Sequence, residues 1–274
     1  MEMRLMLSGR LNATMVLLAL ALGGCAMNTE VLVTPQNAGF WPAGKTYAVS
    51  LTYDDGLRSQ VEIALPALKA AGLRGTFFSS GMPGGMDDAG IRALHAAGQE
   101  LAAHTLVHPC GRGPNSKPGT SLEDYDDKRM AAELDKNIDN LVSYGTLRDQ
   151  VSFAYPCGQN YVGEDKHSYV PLVQRRFVGA RGVWDTLADP MKVDLYNTPG
   201  LHGDKGAVGL LKDIHQAARE GAWAVFLFHG VGGDYLITSA SDHQTLVNAL
   251  KSDPHAWVAP FGEVARWIRD HRAL

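Results

Sequence analysis

The chain has 274 residues, 45% of them hydrophobic and 20% charged, with a formal net charge of -4. That length supports one sizeable core, and the charge excludes the basic stripe of a nucleic-acid binder. The three cysteines, Cys25, Cys110 and Cys157, form no CxxC pair, which argues against a structural zinc site.

The first residues read as an export signal. Arg4 and Arg10 give a basic start, and Met15 to Leu22 is an apolar centre too short to span a membrane. The run ends in Leu22-Gly23-Gly24-Cys25, which resembles a bacterial lipobox, with Cys25 as the lipidated first residue of the mature chain. Ala26, rather than aspartate, follows and favours the outer membrane. The domain plan is therefore a signal peptide with lipobox at 1–25, a tether at 26–44, and one catalytic domain at 45–274. The tether is polar and aperiodic, and Phe40 and Trp41 are its candidates for packing on the domain.

From Lys45 onward, short apolar runs alternate with amphipathic stretches. Strands are expected at Tyr47 to Leu51, Arg74 to Phe78, Glu100 to Ala103, Val151 to Tyr155, Phe177 to Ala180, Ala222 to Phe228 and Trp257 to Ala259. Helices are expected at Val61 to Ala71, Asp87 to Ala97, Glu164 to Arg175, Gly206 to Glu220, Ser241 to Leu250 and Phe261 to Arg272. Pro66 should kink the first of these or shift its start. Ser121 and Asp124 read as a capping box opening a long helix through Leu134 and Leu141. Strand–helix alternation predicts a parallel sheet, open or closed into a barrel, with its site at the carboxyl ends of the strands.

Chemistry-bearing residues fall at those ends. Asp54, Asp55 and Gly56 close the first strand. Two acids before a glycine usually make a solvated turn. Here Gly56 is expected to stop the strand so that both carboxylates serve one site. His104 and His108 follow the third strand, four residues apart, and can share one metal on a single turn. Two imidazoles and one carboxylate, with positions left for water, make a catalytic rather than a structural metal site. His229 ends the apolar strand at 222–228.

Thr52-Tyr53-Asp54-Asp55-Gly56, His104-Thr105-Leu106-Val107-His108-Pro109, Phe153-Ala154-Tyr155-Pro156-Cys157-Gly158 and Leu227-Phe228-His229 resemble ordered motifs of the polysaccharide deacetylases, carbohydrate esterase family four. The third is a Tyr-Pro-Cys-Gly variant, and the family's fourth motif is weak. The resemblance covers Lys45 to the C-terminus and implies a distorted (β/α)7 barrel as a single α/β catalytic domain. It implies that Asp54 is the general base and that Asp55, His104 and His108 hold a divalent metal, zinc or alternatively cobalt. It implies that His229 is the general acid, that Leu227 lines an acetyl pocket, that the Cys157 backbone N–H faces the oxyanion, and that Thr105 and Tyr155 lie beside the substrate. Ala154 stands where the family usually carries an arginine paired with the base; Arg181 is the candidate replacement, against an ordinary surface arginine. Asp194, ahead of Asp185, is the candidate to tune His229. Cys110 and Cys157 lie beside and within motifs, so a disulfide between the two loops is expected, with free thiols or metal ligation as alternatives.

The expected function is metal-dependent removal of acetyl groups from an N-acetylated sugar polymer or oligosaccharide by an exported, lipid-anchored envelope protein facing the periplasm. Its partners are that carbohydrate and, through the lipid alone, the membrane. The alternatives are an O-acetyl polysaccharide esterase, a non-catalytic carbohydrate-binding relative, and an unrelated amide-cleaving metallohydrolase. Tyr155, Trp184, Tyr235 and Trp257 are candidates for sugar platforms or core. His202 and His243 are placed near the cleft entrance, and His95, His167, His215, His255 and His271 are read as surface or packing residues.

Overall fold

A computed structural model describes residue 37, residues 39–80 and residues 85–272. The signal peptide, the lipobox with Cys25 and most of the tether lie outside the described residues. No described helix is long and apolar enough to cross a membrane.

Strand β1 (Tyr47–Asp54) is buried along its whole length, which is why it reads as a continuous apolar run. Around it stand β2 (Thr76–Ser79), β3 (Glu100–Ala103), β4 (Phe153–Ala154), β7 (Ala180–Arg181), β8 (Leu201–His202) and β9 (Trp223–Phe228). They form one curled parallel sheet in the order β7-β4-β3-β2-β1-β9-β8. Strand β10 (Ala256–Val258) adds to the first half of β1, whose second half pairs β2. The parallel sheet is the one the alternation predicts, and its curling makes the distorted α/β barrel that the resemblance implies.

Period-two alternation divides the core. Tyr47, Val49, Leu51 and Tyr53 join the apolar cluster shared with the helices. Ala48 instead joins Phe78, Ala102, Ala154, Trp223 and Val225 in a second cluster. Ser50, Thr52 and Asp54 continue that second face, and the hydroxyls of Ser50 and Thr52 donate to the carbonyls of Ala259 and Phe226 at 2.9 and 2.7 Å. Asp54 is therefore delivered to the barrel mouth by register alone.

The helices are α1 (Leu65–Ala71), α2 (Asp88–Ala96), α3 (Asp127–Ser143), α4 (Val170–Gln174), α5 (Gly206–Glu220), α6 (Ala240–Ser252) and α7 (Phe261–His271). Pro66 sits in the first turn of α1, behind a π-helical turn at Gln60–Ala64, so the start shifts as Pro66 demands. Ser121 and Asp124 cap a separate 3-10 turn, while α3 starts later on Asp126, whose carboxylate accepts from the Arg129 N–H at 2.7 Å. The helix expected at Glu164 to Arg175 is mostly a hairpin, β5 (Tyr161–Val162) against β6 (His167–Ser168). Left-handed Gly163 and Lys166 turn the chain there, leaving only α4. Phe40 and Trp41 do pack on the domain: the Trp41 indole donates to Gly221 O at 2.9 Å, and Phe40 O accepts from Trp267 at 3.0 Å.

Candidate active site at the carboxyl ends of the strands

Strand β1 ends at Asp54, and the next residue, Asp55, takes φ 73°. The reversal begins one residue before Gly56, which continues it at φ 67°. An aspartate tolerates the left-handed region better than most side chains, at modest strain. The break in alternation puts both carboxylates on the mouth, Asp54 3% and Asp55 4% exposed.

His104 leaves β3 directly. Its backbone N–H donates to Asn137 Oδ1 at 2.9 Å, and its Nδ1 lies 2.8 Å from the Ala154 carbonyl. A carbonyl only accepts, so Nδ1 carries the hydrogen and Nε2 is free to face Asp55. The segment to His108 is a turn with Thr105 at φ 60° and His108 at φ 50°, held by the His108 N–H on Thr105 Oγ1 at 3.1 Å. Pro109 denies His108 a helical continuation. Thr105 thus shapes the turn with its side chain.

Asp55 Oδ1 stands 3.4 Å from His104 Nε2 and 3.3 Å from His108 Nε2. These three donor atoms lie within 4.8 Å of one another. Oδ1 is buried and has no hydrogen-bond partner among the described residues. A buried oxygen left without a donor between two imidazole nitrogens is costly unless a cation takes it. The set fits a divalent metal with positions left for water. Burial opposes the ionisation of Asp55, yet the neighbouring His104 ring, with the Tyr235 hydroxyl and His108, holds the carboxyl below the usual range. Burial and the charge of His104 push His108 down to about 4, so its ring is neutral at pH 7 and able to ligate.

Asp54 belongs to Arg181. The guanidinium Nη2 donates to both Asp54 carboxylate oxygens. Arg181 is fully buried at the end of β7, lies over the Phe78 ring at 5.2 Å, and donates from Nη1 to Gly182 O at 2.8 Å. It is not a surface arginine. Gln60, which the sequence reading passed over, ties two strand ends: its Nε2 donates to Asp54 O at 2.6 Å and His229 O at 3.1 Å.

His229 follows β9, with Nε2 3.8 Å from Asp55 Oδ2. Leu227 is buried on β9, level with Thr52. Tyr235 enters from the loop after β9; its hydroxyl donates to Asp55 Oδ2, and its ring is 5.8 Å from that of His229. Burial and the nearby carboxylates keep this phenol protonated. It is a site residue rather than a free platform.

Several expectations change. Asp194 makes no bond to His229 among the described residues; its carboxylate accepts from the Tyr196 N–H at 2.8 Å in its own loop. Asp185 is likewise engaged elsewhere, by Lys205 at 2.6 Å. Tyr155 is buried, with its hydroxyl on Tyr196 O at 2.9 Å, so no sugar can stack on it. Trp257 packs between Trp41 and Trp267, while Trp184 stays 56% exposed. His243 is buried against Tyr53, with the Tyr53 hydroxyl hydrogen-bonded to Nε2 at 2.8 Å, and not at an entrance. Cys110 and Cys157 are joined by a disulfide, with Cα atoms 5.8 Å apart. It removes both sulfurs as ligands and binds the His108 turn to the Cys157 turn, where Cys157 takes φ 54°.

Residues 43–167 match the family model for polysaccharide deacetylase. A comparison with curated proteins finds no match. Among solved structures, a Pseudomonas aeruginosa PAO1 protein classed with the polysaccharide deacetylases superposes with a TM-score of 0.63 at 15% identity, over 85% of this chain and 95% of that one. The family 4 carbohydrate esterase of Streptomyces lividans gives 0.52 at 17% identity, over 83% and 97%. The Xyl-CE4 domain of a multidomain xylanase from the hindgut metagenome of Trinervitermes trinervoides gives 0.51 at 16%, over 83% and 94%. At such identities the likeness is one of fold.

Proposed function

We propose that this chain, whose residues 43–167 match the family model for polysaccharide deacetylase, is a metal-dependent hydrolase that releases acetate from N-acetylated sugar polymers or oligosaccharides. The observation that carries the reading is the orphaned Asp55 Oδ1 between His104 and His108, next to an Asp54 held by Arg181. Zinc is the cation of choice, with cobalt as an alternative.

Asp55, His104 and His108 would hold the cation. When bound, it lowers the pKa of a water and polarises the acetyl carbonyl. Asp54 accepts the proton of the attacking water, its carboxylate aimed by Arg181. The Cys157 N–H donates to the developing oxyanion, in a turn braced by the disulfide. His229 gives a proton to the departing sugar nitrogen, because an amine leaves poorly unless protonated. The C–O bond forms first, and the C–N bond then breaks as the oxyanion collapses, leaving acetate and a free amine. Leu227 supplies apolar surface for the acetyl methyl group. We also propose export and lipid anchoring through Cys25, on the strength of the lipobox.

Acetate release by the full chain tests the reading, on N-acetylglucosamine oligomers and on O-acetylated xylan. Release should be chelator-sensitive, restored by zinc or cobalt, absent in His108→Ala, and reduced about 10²–10⁴-fold in metal-loaded Asp54→Asn. The preferred polymer separates amide from ester cleavage. Full metal occupancy without release from either would sink the substrate class. Failure to take up metal would sink the ligand set.

A further inference from the structure

The loop between β9 and α6 carries a tyrosine that no motif accounts for. It runs from Gly230 to Thr238 and is laced on itself and on its neighbours. The Gly230 N–H donates to Tyr235 O at 3.0 Å, the Thr238 N–H to Gly230 O at 2.9 Å, and the Gly232 N–H to Thr238 O at 2.8 Å. Asp234 Oδ2 accepts from the Ser59 N–H at 2.8 Å, and Ser59 Oγ accepts from the Val231 N–H at 3.1 Å. A side chain at Gly230 would strike Gly233 O, so the turn requires that glycine.

The residues flanking Tyr235 are strained. Asp234 takes φ 64° and Leu236 φ 47°. Two non-glycine residues in the left-handed region cost roughly 1–3 kcal/mol each and persist only where the surroundings enforce them. That backbone leaves Tyr235, Leu236 and Ile237 44%, 58% and 53% exposed, and of the three only Tyr235 reaches the site, through its hydroxyl on Asp55.

The two oxygens of Asp55 are thereby treated differently. Oδ2 accepts from Tyr235, and Oδ1 is left without a donor between His104 Nε2 and His108 Nε2. His229 Nε2 stays 3.8 Å from Oδ2, outside hydrogen-bond reach. We infer that Tyr235 is a positioning residue: its hydroxyl occupies Asp55 Oδ2, commits the carboxylate to the cation through Oδ1 alone, and keeps His229 free of Asp55. The inference rests on the proposed assignment of Asp55, His104 and His108 as ligands. Oxygen ligands held by such outer hydrogen bonds lose about 10–100-fold in metal affinity when the bond is removed.

The test is cobalt binding by the full chain, measured by chelator competition and by the visible absorption of the bound ion, in wild type, Tyr235→Phe and Ile237→Ala. Phenylalanine keeps the ring and removes only the hydroxyl. Tyr235→Phe should bind cobalt about 10–100-fold more weakly, with a shifted spectrum, while Ile237→Ala matches wild type. Wild-type affinity and spectrum in Tyr235→Phe would overturn the inference and leave the ligand set standing. Equal weakening in Ile237→Ala would also overturn it, because the loop rather than the hydroxyl would then be responsible. A wild-type chain that takes up no cobalt would remove the ligand set, and this inference with it.

Discussion

Two carboxylates, one half-buried and one buried, sit at opposite ends of the same barrel. Glu100 opens β3 at the amino end, and Asp55 follows β1 at the carboxyl end. Glu100 is fully engaged: Oε1 accepts from Ser152 Oγ at 2.8 Å, and Oε2 from Thr76 Oγ1 at 2.6 Å and the Gly262 N–H at 3.1 Å. It joins β2, β3, the chain before β4 and the start of α7, and asks for nothing more. Asp55 has one oxygen engaged and one bare. In barrels of this kind the amino end serves stability and the carboxyl end serves chemistry. The finished and unfinished hydrogen-bond shells express that division in two residues.

The largest expected effect falls on the unfinished shell. Asp55→Ala should weaken cobalt or zinc binding by more than about 100-fold, in the same chelator competition. The metal-free protein should melt within a few degrees of wild type, because removal of a buried, half-paired acid offsets the strain of alanine at the left-handed φ of 73°. A large fall in its Tm would mean that Asp55 is structural after all, and the comparison would fail.

Next is the brace on the active face. The Cys110–Cys157 bridge closes a loop with a sequence separation of 47, and loop entropy assigns it about 4 kcal/mol. Cys110→Ser with Cys157→Ser should lower stability towards that value in denaturant melts and weaken metal binding, since His108 lies two residues from Cys110. Lost stability with unchanged metal affinity would separate the brace from the site.

The smallest effects belong to the finished shell. Glu100→Ala strands three donors and should cost about 3 kcal/mol, with metal affinity unchanged. Glu100→Gln is gentler, because the amide can accept from Gly262 and donate to the Ser152 hydroxyl. Burial pushes the Glu100 carboxyl up, ahead of the opposing hydrogen bonds. A raised native pKa stabilises below the unfolded value of about 4.5 and loses that contribution as the pH rises through the native pKa. The Tm of Glu100→Gln relative to wild type should therefore climb from pH 4 to pH 8. A flat difference would show that Glu100 ionises as readily folded as unfolded.

What could be read beforehand follows the same geometry. The alternating runs announce the parallel sheet, and Asp54, Asp55, His104 and His108 stand out in the sequence because they cluster at or just beyond the ends of apolar strands. The partners that orient them were harder to see. Arg181 closes a strand of only two residues, and its burial depends on Phe78 and Asp54 arriving from distant positions. Tyr235 sits in a glycine-rich loop whose direction is set by positive φ at Asp234 and Leu236, which no periodicity reveals. Asp194 cannot be sorted from sequence, because an acid before an extended segment looks alike whether it serves a histidine or, as here, its own turn. The helix expected at 164–175 failed for a local reason, the left-handed Gly163 and Lys166.

Strand β1 carries one further consequence, for biosynthesis. It pairs with residues 76–78 on one side, but also with 223–228 and 256–258, which a ribosome makes last. Asp54, Asp55, His104 and His108 have all left the exit tunnel long before β9 exists to fix the register of β1. A nascent chain halted near residue 220 would hold every expected metal ligand and still lack a site. It would also expose a long strand with an apolar face and unpaired edges, the kind of surface that invites association until the final fifth of the chain is complete.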